Sequence, residues 1–146
     1  MRPALVPAAL LLLLGLGTAL GGCNRKGTRQ VTLVDAMDIP CSGIDPETGI
    51  WSSAPWPISE DIGAMGDAGT SGICEWLPFA GRQELIVPHT LGRVPSEVLI
   101  YIAFSPSGVG GTLASGDPGR VRAVDDASVT IDNGTNQDFY IRLVLE

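Results

Sequence analysis

Apolar and polar residues alternate along the last part of the chain with the two-residue period that is typical of β-strands. The alternation is clearest from Phe139 to Leu145, where every second residue is large and apolar. A strand with this pattern buries one face and exposes the other. Residues 97–104 are instead apolar at nearly every position, which predicts a central strand that is covered on both faces.

Shorter segments that combine apolar residues with polar ones and are bounded by glycines, prolines or charged residues predict the remaining strands, at residues 30–34, 74–79, 83–87, 120–124 and 128–132. Asn133–Gly134 has the composition of a two-residue hairpin turn. Residues 105–119, with five glycines and two prolines, predict a long loop. No segment has the periodicity of a long helix. The expected fold class is therefore all-β, an antiparallel β-sandwich-like domain.

Changes in composition along the chain predict its domain organisation. Residues 1–22 form an apolar leader, residues 23–30 a polar tether, and residues 31–146 a single β domain. Within that domain, residues 35–81 contain five prolines and all three tryptophans, which predicts a loop-rich region. Residues 82–146 predict a compact antiparallel β unit.

The leader has the layout of a cleaved export signal. Arg2 provides a positive start, residues 8–16 form an apolar run, and Asn24-Arg25-Lys26 end the apolar character. The run is shorter than the roughly 20 residues that span a bilayer as a helix. We therefore expect residues 1–22 to be removed on export.

The end of the leader, Leu20-Gly21-Gly22-Cys23, resembles the lipobox of bacterial lipoproteins. The resemblance implies cleavage before Cys23, a diacylglycerol on its thiol, and an acyl chain such as palmitate on the new amine. Two or more acyl chains anchor a protein stably in a membrane. Asn24 is similar to an outer-membrane sorting signal of enteric bacteria, which implies the outer membrane of the cell envelope. The alternative is ordinary cleavage near Ala19 or Gly22, which leaves a soluble exported protein.

The chain has three cysteines, an odd number that needs explaining in an exported protein. Lipidation of Cys23 leaves Cys41 and Cys74, which we expect to form a disulfide outside the cytoplasm. A zinc site is the alternative for these two thiols, and one histidine in the whole chain makes it a poor one. We therefore expect no metal. We also expect no cofactor, since no glycine-rich loop is followed by a phosphate-binding lysine.

Charge excludes one class of partner. The net charge of the chain is -7, and loss of Arg2 with the leader leaves 8 basic residues against 16 acidic ones, a net of -8. A nucleic-acid partner bound through a basic surface is therefore excluded. Arg25, Lys26 and Arg29 cluster beside Cys23, and we expect them to lie against anionic headgroups of the membrane.

Trp51, Trp56 and Trp76 are the candidates for a ligand-binding surface. Exposed indole rings stack on sugars and grip peptides, so a protein or glycan ligand is the expected partner besides the membrane. The alternative interpretation is that the tryptophans pack a small satellite core beside the disulfide.

Residues 88–95, Pro-His-Thr-Leu-Gly-Arg-Val-Pro, connect two predicted strands. We interpret His89, Gly92, Arg93 and Pro95 as a structural turn in which His89 hydrogen-bonds a loop carbonyl and Gly92 takes a positive φ. The segment with its flanking strands, residues 82–146, resembles phage virion and tail-associated β modules. Because those modules build trimers or adhesive tips, the resemblance implies a homo-oligomer.

Acidic residues provide the one catalytic alternative. Glu60, Asp61, Glu75, Asp125 and Asp126 are the candidates for the carboxylate pair of a small envelope hydrolase. Solvated loop positions are the preferred interpretation of these acids. The expected function is instead that of a membrane-anchored bacterial envelope lipoprotein, a non-catalytic binding or structural module and not an enzyme.

Overall fold

Two packed β-sheets make up most of the regular structure in residues 29–55 and 74–146, which are the residues that the computed structural model describes. A short 3-10 helix, Ala36–Asp38, is the one helical element within these ranges. The expected all-β, sandwich-like class is confirmed.

The strands in chain order are β1 (Gln30–Leu33), β2 (Gly43–Ile44), β3 (Trp51–Ser52), β4 (Leu77–Phe79), β5 (Gln83–Pro88), β6 (Val98–Ala103), β7 (Thr112–Leu113), β8 (Arg120–Val124), β9 (Ser128–Asp132) and β10 (Phe139–Leu145). The first sheet has the order β1-β5-β9-β8. The second has the order β2-β3-β10-β6-β7, and β4 also pairs with β10.

β10 is the centre of the second sheet. It pairs with β6 from Tyr140 to Leu145, and on the other edge β4 pairs with its first half and β3 with its end. The alternating residues from Phe139 to Leu145 are all buried and join one apolar core with residues of the first sheet such as Leu85 and Ile131. The period of two therefore identified the strand and its buried face.

β1 departs from the expected antiparallel arrangement, because it pairs in parallel with β5. Parallel neighbours require a long connection. Here the chain between them contributes β2, β3 and β4 to the second sheet before it returns to the first. The described parts of the loop-rich region, residues 35–55 and 74–81, thus contribute strands to the same sandwich as residues 82–146.

The hairpin predicted at Asn133–Gly134 is wrong. β9 lies in the first sheet and β10 in the second, so residues 133–138 carry the chain from one sheet to the other. The buried Asn133 amide donates over 2.8–3.3 Å to the carbonyl oxygens of Phe79, Ala80 and Gln137. These carbonyls need hydrogen-bond partners inside the protein, and that requirement overrides the local turn preference of the Asn-Gly pair.

The glycine-rich loop, residues 105–119, folds over the indole ring of Trp76. The backbone N–H of Trp76 donates to the carbonyl of Pro106 over 2.8 Å. The ring lies so close to Gly108 and Gly111 that a Cβ atom at either position would collide with it. The glycines of this loop therefore allow the close contact that keeps Trp76 buried.

Two glycines of the loop give a matched test of this contact. Gly108 and Gly110 have nearly equal φ values, +74° and +71°, but only a Cβ at Gly108 would meet Trp76. Gly110→Ala should cost about 1 kcal/mol of unfolding free energy through backbone strain alone. Gly108→Ala should cost a further 1–3 kcal/mol, roughly, through overpacking. Urea denaturation measures both, and equal losses would contradict the packing of the loop on Trp76.

Candidate functional site

A disulfide joins Cys41 to Cys74, with the two Cα atoms 5.3 Å apart. The expected pairing is confirmed. The bond connects the turn before β2 to the segment that leads into β4. Cys23, the lipidation candidate, lies outside the described residues.

The structure corrects the interpretation of two tryptophans as a binding surface. Trp51 is 0% exposed and Trp76 is 2% exposed, so neither offers an exposed ring face that could stack on a sugar or grip a peptide. Trp51 belongs to the main core, whereas Trp76 forms a small second cluster with Ala54 and Ala103. The satellite-core alternative therefore describes Trp76. Trp56 lies outside the described residues.

The turn after β5 is built around His89, which is buried. Its Nε2 lies 3.2 Å from the carbonyl oxygen of Asp125, and its Nδ1 accepts the N–H of Leu91 over 3.4 Å. A neutral ring with its proton on Nε2 satisfies both bonds. Gly92 has a φ of +66°, and Pro95 is buried while Arg93 is exposed. The side chain of His89 thus ties this turn to the β8–β9 turn.

Asp125 organises that second turn. Its carboxylate accepts the backbone N–H groups of Ala127 and Ser128 over 2.8 and 2.6 Å. These hydrogen bonds, with a further one from the Ser128 hydroxyl, hold the pKa of Asp125 below its usual range. Bonds to the charged form keep Asp125 ionised, so its contacts are those of a turn-forming residue. Asp126 beside it is exposed.

A cleft of about 430 Å³ opens beside the disulfide, between the edges of the two sheets. Its apolar lining includes Val34, Met37 and Trp76, and Asp38 and Glu75 supply carboxylates. The Asp38 carboxylate already accepts the backbone N–H of Asp35 over 3.2 Å as part of the cap of the 3-10 helix. One of the two acids in the cleft therefore has a structural task.

The outer face of the second sheet has a shallower depression of about 380 Å³, lined in part by Tyr101 and Arg142. The guanidinium carbon of Arg142 lies 5.9 Å from the centre of the Tyr101 ring, and its Nε donates to the carbonyl of Ala54 over 2.6 Å. Burial lowers the pKa of Arg142 from its usual range. Arg142 thus holds the segment after β3 against β10.

An arginine cluster covers a single buried carboxylate on the outer face of the first sheet. Asp132 is 0% exposed. Arg120 Nη2 and Arg122 Nη2 lie 2.9 and 2.7 Å from its Oδ2, and Arg29 Nε lies 3.1 Å from its Oδ1. We call Arg29, Arg120, Arg122 and Asp132 the arginine cluster. Each arginine side chain remains 38–40% exposed.

Strand register assembles the cluster. Val31, Glu84, Asp132 and Arg120 stand opposite one another in β1, β5, β9 and β8, and residues directly opposite share a face. A register shift between Val121 and Ala123 leaves the intervening residue, Arg122, without a partner in β9. This irregularity lets a second arginine of the same strand reach Asp132.

Sequence reasoning missed Asp132 as a site residue, because an aspartate at the end of a strand is typical of a turn. The available signal was the pair of arginines at alternate positions in the neighbouring predicted strand. Arg120 has further partners near Asp132: its Nη1 lies 3.4 Å from Asp117, and Gly134 has no space for a Cβ beside its guanidinium.

Within residues 29–55 and 74–146, no group of three or more His, Cys, Asp or Glu side chains is placed to hold a metal ion. Over the same ranges, no helix has the length and apolarity required to cross a membrane. Glu60 and Asp61 of the carboxylate candidates lie outside these ranges.

Comparison of the chain with protein-family models, with curated proteins and with solved structures found no match. The resemblance of residues 20–23 to a lipobox therefore stays a prediction from the residues. The same holds for the resemblance of residues 82–146 to phage modules.

Two aspartates that contact Arg120 test the arginine cluster. Asp132→Asn keeps the shape but leaves three guanidinium groups around a neutral amide, which should cost about 3–5 kcal/mol of unfolding free energy. Asp117→Asn removes an acid that is 71% exposed, and exposed ion pairs contribute less than about 1 kcal/mol. Urea denaturation at pH 7 compares the two variants. Similar small losses for both would show that Asp132 does not hold the cluster together.

Proposed function

We propose that this protein is a bacterial envelope lipoprotein whose β domain is a non-catalytic binding or structural module, held at the membrane by lipid on Cys23. The observation that carries the proposal is that two of the three cysteines form a disulfide with each other. The fold pairs Cys41 with Cys74, so the third cysteine is the one at the lipobox-like Leu20-Gly21-Gly22-Cys23. Lipidation gives this remaining thiol a function.

The disulfide supports an extracytoplasmic location. Disulfides persist in oxidising compartments and are rare in the cytosol. This one closes a loop between positions 33 residues apart in the chain. In the chain-entropy model a loop of this length stabilises the fold by about 3–4 kcal/mol, an advantage that is available only where the bond stays oxidised.

The cleft beside the disulfide supports a binding role for the module. It combines apolar side chains such as Val34 and Leu77 with a few polar groups, which is the usual composition of a ligand site. The hydrolase alternative gains less support, because its candidate Asp125 anchors a turn, and because Asp38, the acid that lines the cleft together with the candidate Glu75, caps the 3-10 helix. The carboxylates of Asp125 and Asp38 are thus already engaged with the backbone.

The intact mass of the protein extracted from its own membranes tests this proposal. We expect a chain that starts at Cys23, carries the added mass of a diacylglycerol and an acyl chain, and lacks the two hydrogens of Cys41 and Cys74. Cys23→Ala should lose the lipid mass and remain uncut. Cys41→Ala should keep the lipid mass, which makes it the matched cysteine control. An unlipidated chain that is cut at another position would contradict the anchor.

A further inference from the structure

The outer face of the first sheet combines exposed apolar side chains with arginines. Val31 and Leu33 are 57% and 72% exposed. Val31 stands in the same row as Glu84, Asp132 and Arg120, and Leu33, two residues along β1, points to the same face. Apolar side chains beside basic groups are typical of surfaces that lie in a membrane interface.

The three arginines supply more hydrogen-bond donors than their acidic neighbours accept. Asp132 is the one carboxylate buried beneath them, and Arg120 Nε is a buried donor without a partner. The Asp132 Oδ1 atom contacts Arg29 without the geometry of a hydrogen bond. Guanidinium groups bind phosphate oxygens in pairs of parallel bonds. Because Arg120 Nε is buried, an external phosphate would instead meet the solvent-facing N–H groups of Arg120 and Arg122, whose side chains are 38% and 40% exposed.

Charge sets this face apart from the rest of the described domain. Glu84, Asp117 and Asp132 balance the three arginines of the cluster, so that the patch is formally neutral. The other residues of the described ranges include three arginines and ten acidic residues. Arg25 and Lys26 precede the face in the chain and add two positive charges. An anionic membrane therefore repels the acidic remainder of the domain more strongly than it repels this neutral face.

Chain length brings the same face to the membrane. Six residue steps separate Cys23 from Arg29, and six extended steps span at most about 20 Å. Arg29 is itself a member of the arginine cluster. Lipid on Cys23 therefore holds the cluster within a short distance of the headgroups.

We infer that the outer face of the first sheet docks on the anionic phospholipid headgroups of the anchoring membrane. The guanidinium groups of Arg120 and Arg122 donate to lipid phosphates, and Val31 and Leu33 enter the interface. The docked domain presents its acidic surfaces away from the bilayer. The orientation of the domain rests on the proposed lipid anchor, whereas the affinity of the face for headgroups is a property of the fold alone.

Sedimentation with lipid vesicles tests the inference on the mature chain, residues 23–146, with Cys23→Ser to remove only the lipid. The chain should bind vesicles containing phosphatidylglycerol more tightly than vesicles of pure phosphatidylcholine, and less tightly as salt is raised. Arg122→Gln should weaken binding to the anionic vesicles about fivefold, the effect of about 1 kcal/mol per basic residue near such a surface. Leu33→Ser should weaken it about threefold or more through lost apolar burial.

Matched variants separate docking by this face from the general effect of losing a positive charge or an exposed apolar side chain. Arg93→Gln removes the same charge from the turn after β5, and Met37→Ser removes an apolar side chain that is 85% exposed in the 3-10 helix. Both should leave vesicle binding nearly unchanged. Equal weakening by Arg93→Gln and Arg122→Gln, or no preference for anionic vesicles, would overturn the docking face. Circular dichroism shows whether Arg122→Gln folds. If it does not, Leu33→Ser still tests whether this face binds the vesicles.

The outcomes separate this inference from the proposed anchor. A lipidated Cys23 together with a mature chain that ignores anionic vesicles overturns the docking face and leaves the anchor intact. Selective vesicle binding by a protein whose natural form carries no lipid overturns the anchor and leaves the docking face intact.

Discussion

The sandwich depends on the point where three connections between its sheets meet. The β4–β5 turn, the end of the glycine-rich loop and residues 133–138 are hydrogen-bonded to one another, through Arg82 N to Thr135 O, Gly134 N to Asp117 O, and Asn133 N to Gln83 O. The Asn133 side chain lies at their centre and is 0% exposed. A carboxamide suits this position, because it donates to carbonyls of the β4–β5 segment while its oxygen accepts the N–H and O–H of Thr135.

The same backbone course places the arginine cluster. Successive residues of a strand point to opposite faces, so the strand that directs Asn133 into the protein directs Asp132 onto the outer face of the first sheet. Gly134 then passes so close to Arg120 that no side chain fits between them. The burial of the Asn133 amide and the covering of the Asp132 carboxylate thus both follow from the path of the chain as it leaves β9 for the second sheet. Arg29, a member of the cluster, directly precedes β1, which links the fold to the proposed membrane-facing surface.

Local pattern was sufficient for the seven longer strands, but it missed the two-residue strands β2, β3 and β7 and did not show how the strands divide between the sheets. The alternation in β10 and the apolar run of β6 identified both strands, since burial of a strand face leaves a direct mark on the sequence. Asn133–Gly134 misled because a crossing and a hairpin have the same short-range composition. Burial of Trp76 depends on glycines of a distant loop, and burial of Asp132 depends on two arginines of β8 and on Arg29, which directly precedes β1. The disulfide was predictable because counting cysteines requires no geometry.

Replacement of Asn133 by aspartate tests the central role of the crossing most directly. Asn133→Asp changes one amide nitrogen to oxygen and places it against the carbonyls that Asn133 now serves. We expect a loss of about 3–5 kcal/mol of unfolding free energy at pH 7. That loss should shrink as the pH falls from 7 towards about 4, because burial raises the pKa of the new aspartate in the folded state above its unfolded value of about 3.9, and it should level off below about pH 4. Asn136→Asp is the matched control, because Asn136 is exposed and only accepts a bond from Arg82. Equal stability of both variants and the wild type would contradict the account.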